Sequence, residues 1–296
     1  MATRTVVKSV LSRAQPEGDG ATVRRSIGSP MLRNLDPFLL LDEVFVELPA
    51  GFPDHPHRGF ETVTYMIDGS FEHEDFTGRK GRIDSGDIQW MRAGRGILHA
   101  EMPAEGTKVN HGLQLWVNLP KRAKMAEPLY QEHTSAELPW ADLPNAAGRV
   151  KVIAGDAFGV KAKVDTVTPM MYQHFFVEDG KAFDIPILST FTAFIYVLTG
   201  HATFGATKVR GEAHTTLVLG SDGDALTVET EPGIKCDFVV IAGEPIGEPI
   251  IQHGPFVMTT RDEIIETIRD FQFGRNGFEN AVNWHSSIGD RRRVKW

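Results

Sequence analysis

Phe52-Pro53-Asp54-His55-Pro56-His57-Arg58-Gly59-Phe60-Glu61-Thr62-Val63 is the stretch on which the fold turns. Pro56 biases His55 towards an extended backbone. In an extended strand, residues i and i+2 point to one face. His55 and His57 therefore project together. Residues 62–67 continue as a strand up to the turn signal Asp68-Gly69. A second stretch, Gln89-Trp90-Met91-Arg92-Ala93-Gly94-Arg95-Gly96-Ile97-Leu98-His99-Ala100-Glu101-Met102-Pro103, repeats the i, i+2 geometry with His99 and Glu101. Two adjacent antiparallel strands with these pairs facing inward converge three imidazoles and one carboxylate on one point. Such a donor set suits Fe, Zn, Cu or Ni. Four protein ligands on an octahedral ion leave two positions open for water, substrate or dioxygen.

Outward from these stretches, the pattern stays β. Residues 87–93, 112–119, 160–168, 172–177, 192–198, 215–219, 225–230 and 237–242 are short runs rich in β-branched and aromatic residues, with glycine between them. Many short strands at close spacing suggest sandwiches or barrels. The regular strand-then-helix alternation of a parallel sheet is missing. On 112–119, Gln114 and Trp116 alternate and could line a cavity, but the simpler expectation is that Leu113, Leu115 and Val117 line it and the other two face out. The clearest helix begins at Thr260, where Glu263 three residues on completes a capping box. Ile264, Ile265, Ile268 and Phe271 recur at helical spacing, and Gly274 supplies the stop. Tyr65-Met66-Ile67-Asp68-Gly69 is echoed 131 residues later by Tyr196-Val197-Leu198-Thr199-Gly200, which suggests an internal repeat. The same offset carries His55, His57 and Glu61 to Pro186, Leu188 and Thr192, so the second half is expected to be metal-free.

Composition narrows the class. The 296 residues predict one to two domains, and a single cysteine, Cys236, excludes a disulfide framework or a multi-Cys zinc module. The net charge of −8 argues against direct nucleic-acid binding, which needs a basic face. The N-terminus lacks the apolar core of a secretory signal, and the longest apolar runs fall far short of a bilayer span of about 20 residues. A cytoplasmic or nuclear protein with no membrane contact is the expectation. The basic run Arg291-Arg292-Arg293-Val294-Lys295 reads as a solvated tail, or more sharply as a nuclear-import signal.

His55-x-His57-x-x-x-Glu61 followed by Gly69 resembles the first cupin motif, and Gly86, Gly94 and His99 the second. The two long stretches quoted above, together with Gln252-His253-Gly254-Pro255-Phe256-Val257-Met258, resemble the pirin family over nearly the whole chain. The resemblance implies an all-β fold of two jelly-roll-like cupin barrels packed side by side, with a few short helices including a C-terminal one. The division expected is a metal-binding barrel over 1–125, a linker over 126–149, and a metal-free barrel with helix and tail over 150–296. The metal implied is iron, Fe(II) or Fe(III), one per chain, with other divalent transition metals as alternatives. Its implied ligands are His55, His57, His99 and Glu101. Glu61, the usual cupin ligand position, is not the carboxylate ligand in this family. It is expected instead to orient a ligand or to serve the structure, and His73 and Asp75, after the strand ending at Gly69, read either as groups that orient a ligand imidazole or as a polar loop.

The activity implied is a quercetin 2,3-dioxygenase type of cleavage, with dioxygen and a flavonol as substrates and carbon monoxide lost. Glu101 would serve as the base. A second implied role is a redox-sensing nuclear coregulator that acts through a transcription-factor protein partner. A zinc cupin isomerase is the weakest reading, because no glycine-rich phosphate loop or basic cluster accompanies the ligands.

Overall fold

The computed structural model describes residues 1–17, 20–106 and 109–289. The β-branched and aromatic runs form strands that pair antiparallel. Up to residue 133 these are β1 (Val6–Leu11), β2 (Ala14–Glu17), β3 (Ala21–Ile27), β4 (Phe38–Val46), β5 (Phe52–His57), β6 (Phe60–Asp68), β7 (Ser70–Asp75), β8 (Lys80–Asp84), β9 (Ile88–Arg92), β10 (Ile97–Pro103), β11 (Asn110–Asn118) and β12 (Leu129–His133). The chain forms two compact units, each assembled from separate stretches of sequence.

One unit comprises Ala14–Arg25, Phe38–Ser135 and the chain from Ile246 on. It holds a seven-stranded sheet in the order β12-β9-β6-β11-β4-β3-β2 and a four-stranded sheet in the order β5-β10-β7-β8. Apolar residues from both sheets meet between them: Ala21, Val23, Val44, Val46 and Met66 from the first, Phe71 and Ile83 from the second. The four-stranded sheet carries both ligand-bearing pairs, His55 and His57 on β5 and His99 and Glu101 on β10. His99 of β10 lies directly opposite His55 of β5, and a bulge then shifts the pairing so that Glu101 opposes Phe52. Such a bulge re-aims the side chains that follow it.

The other unit comprises Met1–Arg13, Ser26–Pro37 and Ala136–Pro245. Its main sheet runs from β1 through Thr215–Leu219, Thr192–Phe204, Cys236–Gly243, Met170–Val177 and Gly148–Ala154 to Trp140–Asp142. Its interior is filled with apolar side chains. Phe175 stacks on Phe238 at 5.1 Å, and Phe204 meets Phe238 edge-on. Cys236 belongs to this core, and burial pushes its thiol up to about 12, so it acts as a packing residue.

The structure divides the chain differently from the expected 1–125, 126–149 and 150–296. β1 pairs with Thr215–Leu219, which places the N-terminus with the second barrel. The helix α1 (Arg261–Phe273) and the hairpin Ile251–His253/Phe256–Met258 belong with the first. The expected linker is also structured. β12 extends the first unit's sheet beside β9, and Trp140–Asp142 pairs with Gly148–Ala154 in the second. Unpaired backbone N–H and C=O groups are costly once buried, so these segments join whichever sheet edge is free. The expected strand 160–168 shrinks to Val160–Lys161 paired with Asp156–Ala157, and among the described residues no strand pairs with 162–168.

α1 starts and stops as its sequence predicts. Thr260 Oγ1 accepts from the Glu263 amide at 3.2 Å, the Thr260 amide donates to Glu263 Oε2 at 2.9 Å, and Gly274 ends the helix at φ 59°. Ile264 buries against Phe256, Met258 and Phe278. The basic run at 291–295 lies outside the described residues.

Candidate metal centre

His55, His57 and His99 each bring a ring nitrogen into one group whose atoms all lie within 4.8 Å of one another. His57 is 3% exposed and His99 fully buried, while His55 is partly open to solvent. The His55 and His99 Nε2 atoms are 2.9 Å apart. Two nitrogens bound cis to one ion at about 2.1 Å would sit about 3 Å apart. His55 Nδ1 donates to the Pro53 carbonyl at 2.8 Å, which fixes the tautomer that leaves the Nε2 lone pair free. Burial, and secondarily the neighbouring imidazoles, hold His57 and His99 well below the usual imidazole pKa. They are therefore neutral, the form a metal requires. Unfolded imidazoles protonate first, so the stability tied to this neutral cluster is present at neutral pH and falls away as pH drops below the ordinary range. The donor set fits a transition metal of the Fe, Ni, Cu or Zn type.

Glu101 follows His99 on β10 and is 2% exposed. Its carboxylate is not within the histidine group. Oε1 accepts from Thr64 Oγ1 at 2.9 Å and Oε2 from Gln114 Nε2 at 3.1 Å, while Thr64 Oγ1 also reaches Gln114 Oε1 at 3.1 Å. A carboxylate held by two donors is preset in position.

Gln114 and Trp116 were expected to face out, and the structure reverses this. Gln114 holds Glu101, and Trp116 meets the His57 ring edge-on at 5.3 Å with Phe60 beside it. Leu113, Leu115 and Val117 are fully buried on the opposite face of β11. Both faces of this strand are largely buried, so apolar alternation does not tell inside from outside. The signal for Gln114 and Thr64 was polar pairing. A strand interior carrying charge needs polar partners on the facing strands, and these two residues lie directly opposite each other on β11 and β6.

His73 and Asp75 sit on β7, opposite Glu101 and His99 respectively. Directly opposed residues share a face of the sheet, so both side chains lie on the side of His99 and Glu101. His73 Nε2 lies 3.0 Å from Glu132 Oε1, and the hydrogen bond from His73, ahead of those from Gln89 and Arg79, draws Glu132 down to about 2. Gly81 makes room for this ring, since a Cβ there would lie 2.2 Å from His73 Nε2. Asp75 Oδ1 caps the β7–β8 turn through the amides of Thr77 and Arg79.

Glu61 does not join the site. On β6 it alternates with Thr62 and Thr64, and Thr64 faces Glu101, so Glu61 takes the other face with Val63 and Tyr65. Burial raises it to about 7, against opposing effects of Trp90 and Arg92. A carboxyl with a raised folded pKa stabilises least once it must ionise, so this cost grows as pH rises from about 4.5 to about 7. Glu61→Gln is expected to raise stability by up to about 3 kcal/mol at pH 8 and by much less at pH 5. Urea unfolding at the two pH values checks this, and an equal effect at both contradicts it.

The strand carrying His57 is also anchored from behind. Arg58, the next residue, is 1% exposed and donates to Asp270 Oδ2 at 2.9 Å and Thr267 Oγ1 at 3.2 Å on α1. It donates further to the carbonyls of Arg95 and Asn276, both at 2.6 Å. Gly59 has φ 89°, and a Cβ there would lie 2.0 Å from the Val257 carbonyl, so only glycine lets this hairpin approach. The buried Lys124 ammonium ties the same place together through the Gly59 and Val257 carbonyls and Asn118 Oδ1.

Comparison with known proteins agrees with this geometry. Residues 20–117 match the family model described as Pirin, and residues 172–277 match the Pirin C-terminal cupin domain. Pirin from Homo sapiens is 53% identical over 291 residues, covering 97% of this chain and 99% of that protein. A pirin-like protein from Solanum lycopersicum is 52% identical over 284 residues, covering 96% of each. Among solved structures, a quercetin 2,3-dioxygenase from Acinetobacter baumannii is similar with a TM-score of 0.86 and 33% identity, over 94% of this chain and 99% of that chain. The architecture is a bicupin, and with both family models and near-full-length relatives matched, the chain belongs to the pirin family.

Proposed function

We propose that this chain is an iron-dependent dioxygenase that cleaves a flavonol such as quercetin, at a site held by His55, His57, His99 and Glu101. The observation that carries the reading is the convergence of three histidine nitrogens, two of them on buried rings, with the Glu101 carboxylate held in place by Thr64 and Gln114. The likeness to a quercetin 2,3-dioxygenase structure at 33% identity supports the substrate class. Iron, when bound by these residues, would supply Lewis-acidic and redox-active chemistry.

The chain's own groups do the rest. The His55 Nδ1 bond to Pro53 and the edge contacts of Trp116 and Phe60 on His57 keep two ligand rings from rotating. Thr64 and Gln114 hold the Glu101 carboxylate ready to accept the proton of the flavonol 3-hydroxyl. Each Glu101 oxygen accepts one hydrogen bond and keeps a second lone pair, so the carboxylate can serve as a fourth ligand while Thr64 and Gln114 hold it. The apolar wall of Trp116, Phe60 and Leu39 limits water around His57.

The test is oxygen uptake with loss of quercetin absorbance, using protein loaded anaerobically with Fe(II). Glu101→Gln is expected to lower turnover by about 10²–10⁴-fold, the range of a positioned base. No oxygen uptake by fully loaded wild-type protein contradicts the dioxygenase reading.

A further inference from the structure

The segment after α1 returns across the outside of the ligand-bearing sheet. The Ser286 amide and hydroxyl both donate to Asp54, the amide at 3.3 and 3.2 Å from the two carboxylate oxygens. Asp54 is the residue before His55 on β5. The Ser287 amide donates to Glu74 Oε2 at 2.7 Å, and its hydroxyl to Glu74 Oε1. Glu74 lies on β7 directly opposite Ala100, the residue between His99 and Glu101. Lys80 closes the same corner with a 2.9 Å bond to Glu74.

Between these two polar contacts, Ile288 is 4% exposed and packs on Ala100 and Met102, the outward-facing residues of β10. Gly289 folds back, its amide donating to Ser286 Oγ at 2.9 Å, and a Cβ there would lie 3.0 Å from Asp54 Oδ1. Three consecutive residues thus grip three adjacent strands in turn: β5 through Asp54, β7 through Glu74, and β10 between them through Ile288. His55, His57 and His99 stand on two of these strands and Glu101 on the same β10.

We propose that Ser286, Ser287 and Ile288 form a positioning strap that holds β5, β10 and β7 at the spacing the metal ligands require, so that metal affinity depends on contacts on the far side of the sheet. The proposal rests on the metal reading of the site above. Partners that fix first-layer ligands in this way commonly contribute 10–100-fold to metal affinity. Asp54 reaches the ligands only through the backbone it shares with His55. Glu74 reaches them only through the β7–β10 ladder.

The experiment compares full-length wild-type protein with Asp54→Ala, Asp54→Asn and the double variant Ser286→Ala/Ser287→Ala. The Co(II) dissociation constant is measured by chelator competition, and the d–d absorption of the bound Co(II) reports ligand geometry. Circular dichroism confirms that each protein is folded at the working temperature. Asp54→Asn keeps a carbonyl oxygen to accept from Ser286 while removing the charge, so it separates positioning from electrostatics. The expected result is a Co(II) affinity about tenfold or more weaker in Asp54→Ala, with shifted d–d bands, and Asp54→Asn within about threefold of wild type. The double serine variant keeps the backbone amides and should fall between them. If Asp54→Ala is not folded, the double serine variant alone decides, with a loss of about threefold or more expected. Variants that melt earlier but keep the wild-type affinity and spectrum overturn the strap and leave the metal site standing. Wild-type protein that binds no Co(II) overturns both.

Discussion

Arg58→Met is expected to destabilise the protein by about 3–5 kcal/mol, the cost of breaking a buried ion pair from one side. Arg58 and Asp270 have side chains 1% and 2% exposed. Methionine restores part of the volume but leaves the Asp270 carboxylate, among the described residues, with only Arg275 and Asn276, both on Oδ1. The carbonyls of Arg95 and Asn276 lose their guanidinium donors as well, and an unsatisfied buried acceptor costs about 1–3 kcal/mol. The guanidinium also covers the Phe278 ring at 4.7 Å, so part of the loss is packing. Adding Asp270→Asn removes the stranded charge and should recover part of the loss. Urea unfolding of the two single variants and the double measures the coupling. Independent, additive effects would contradict a direct pair.

His99→Ala is expected to abolish stable metal retention. His99 supplies one of three nitrogens in the group and is the only one of them from β10, the other two standing on β5. Loss of a direct donor should exceed the roughly 10–100-fold typical of losing an outer partner. Folding should survive, because His99 Nδ1 has no hydrogen-bond partner among the described residues and the ring bonds only to His55. Removing it also removes an imidazole that must be kept neutral, so the variant should lose less stability than wild type as pH falls below the ordinary imidazole range. The readouts are metal per chain after dialysis and thermal unfolding at pH 5 and pH 7.5. Retention of wild-type metal content by a folded His99→Ala chain would contradict the assignment.

The ligand strands were legible because their chemistry is local. A His-x-His pair and a His-x-Glu pair need only two-residue periodicity to be read as facing one way, and His55, His57 and His99 do converge. The capping box of α1 was legible for the same reason, since Thr260 and Glu263 are three residues apart. What could not be read were contacts set by tertiary return. Arg58 and Asp270 are 212 residues apart, and Asp54 and Ser286 are 232 apart. Nothing in either local pattern points to the other.

The division into units departs from chain order on the same ground. β1 falls in the unit of Ala136–Pro245, and α1 in the unit of Phe38–Ser135. Which face of β11 looks inward was misread because polar residues were assumed to face solvent. Around a metal, polar side chains such as Gln114 and Thr64 face in, to satisfy Glu101. Glu61 shows the converse: it matches a general cupin motif in sequence, yet its strand turns it away from the histidines.

The most direct measurement of the central claim is the metal content of the purified chain after anaerobic loading with Fe(II) and removal of free ion. The account predicts about one iron per wild-type chain, and almost none in folded His57→Ala or His99→Ala. A wild-type chain that holds no iron, or variants that hold as much as wild type, would contradict it.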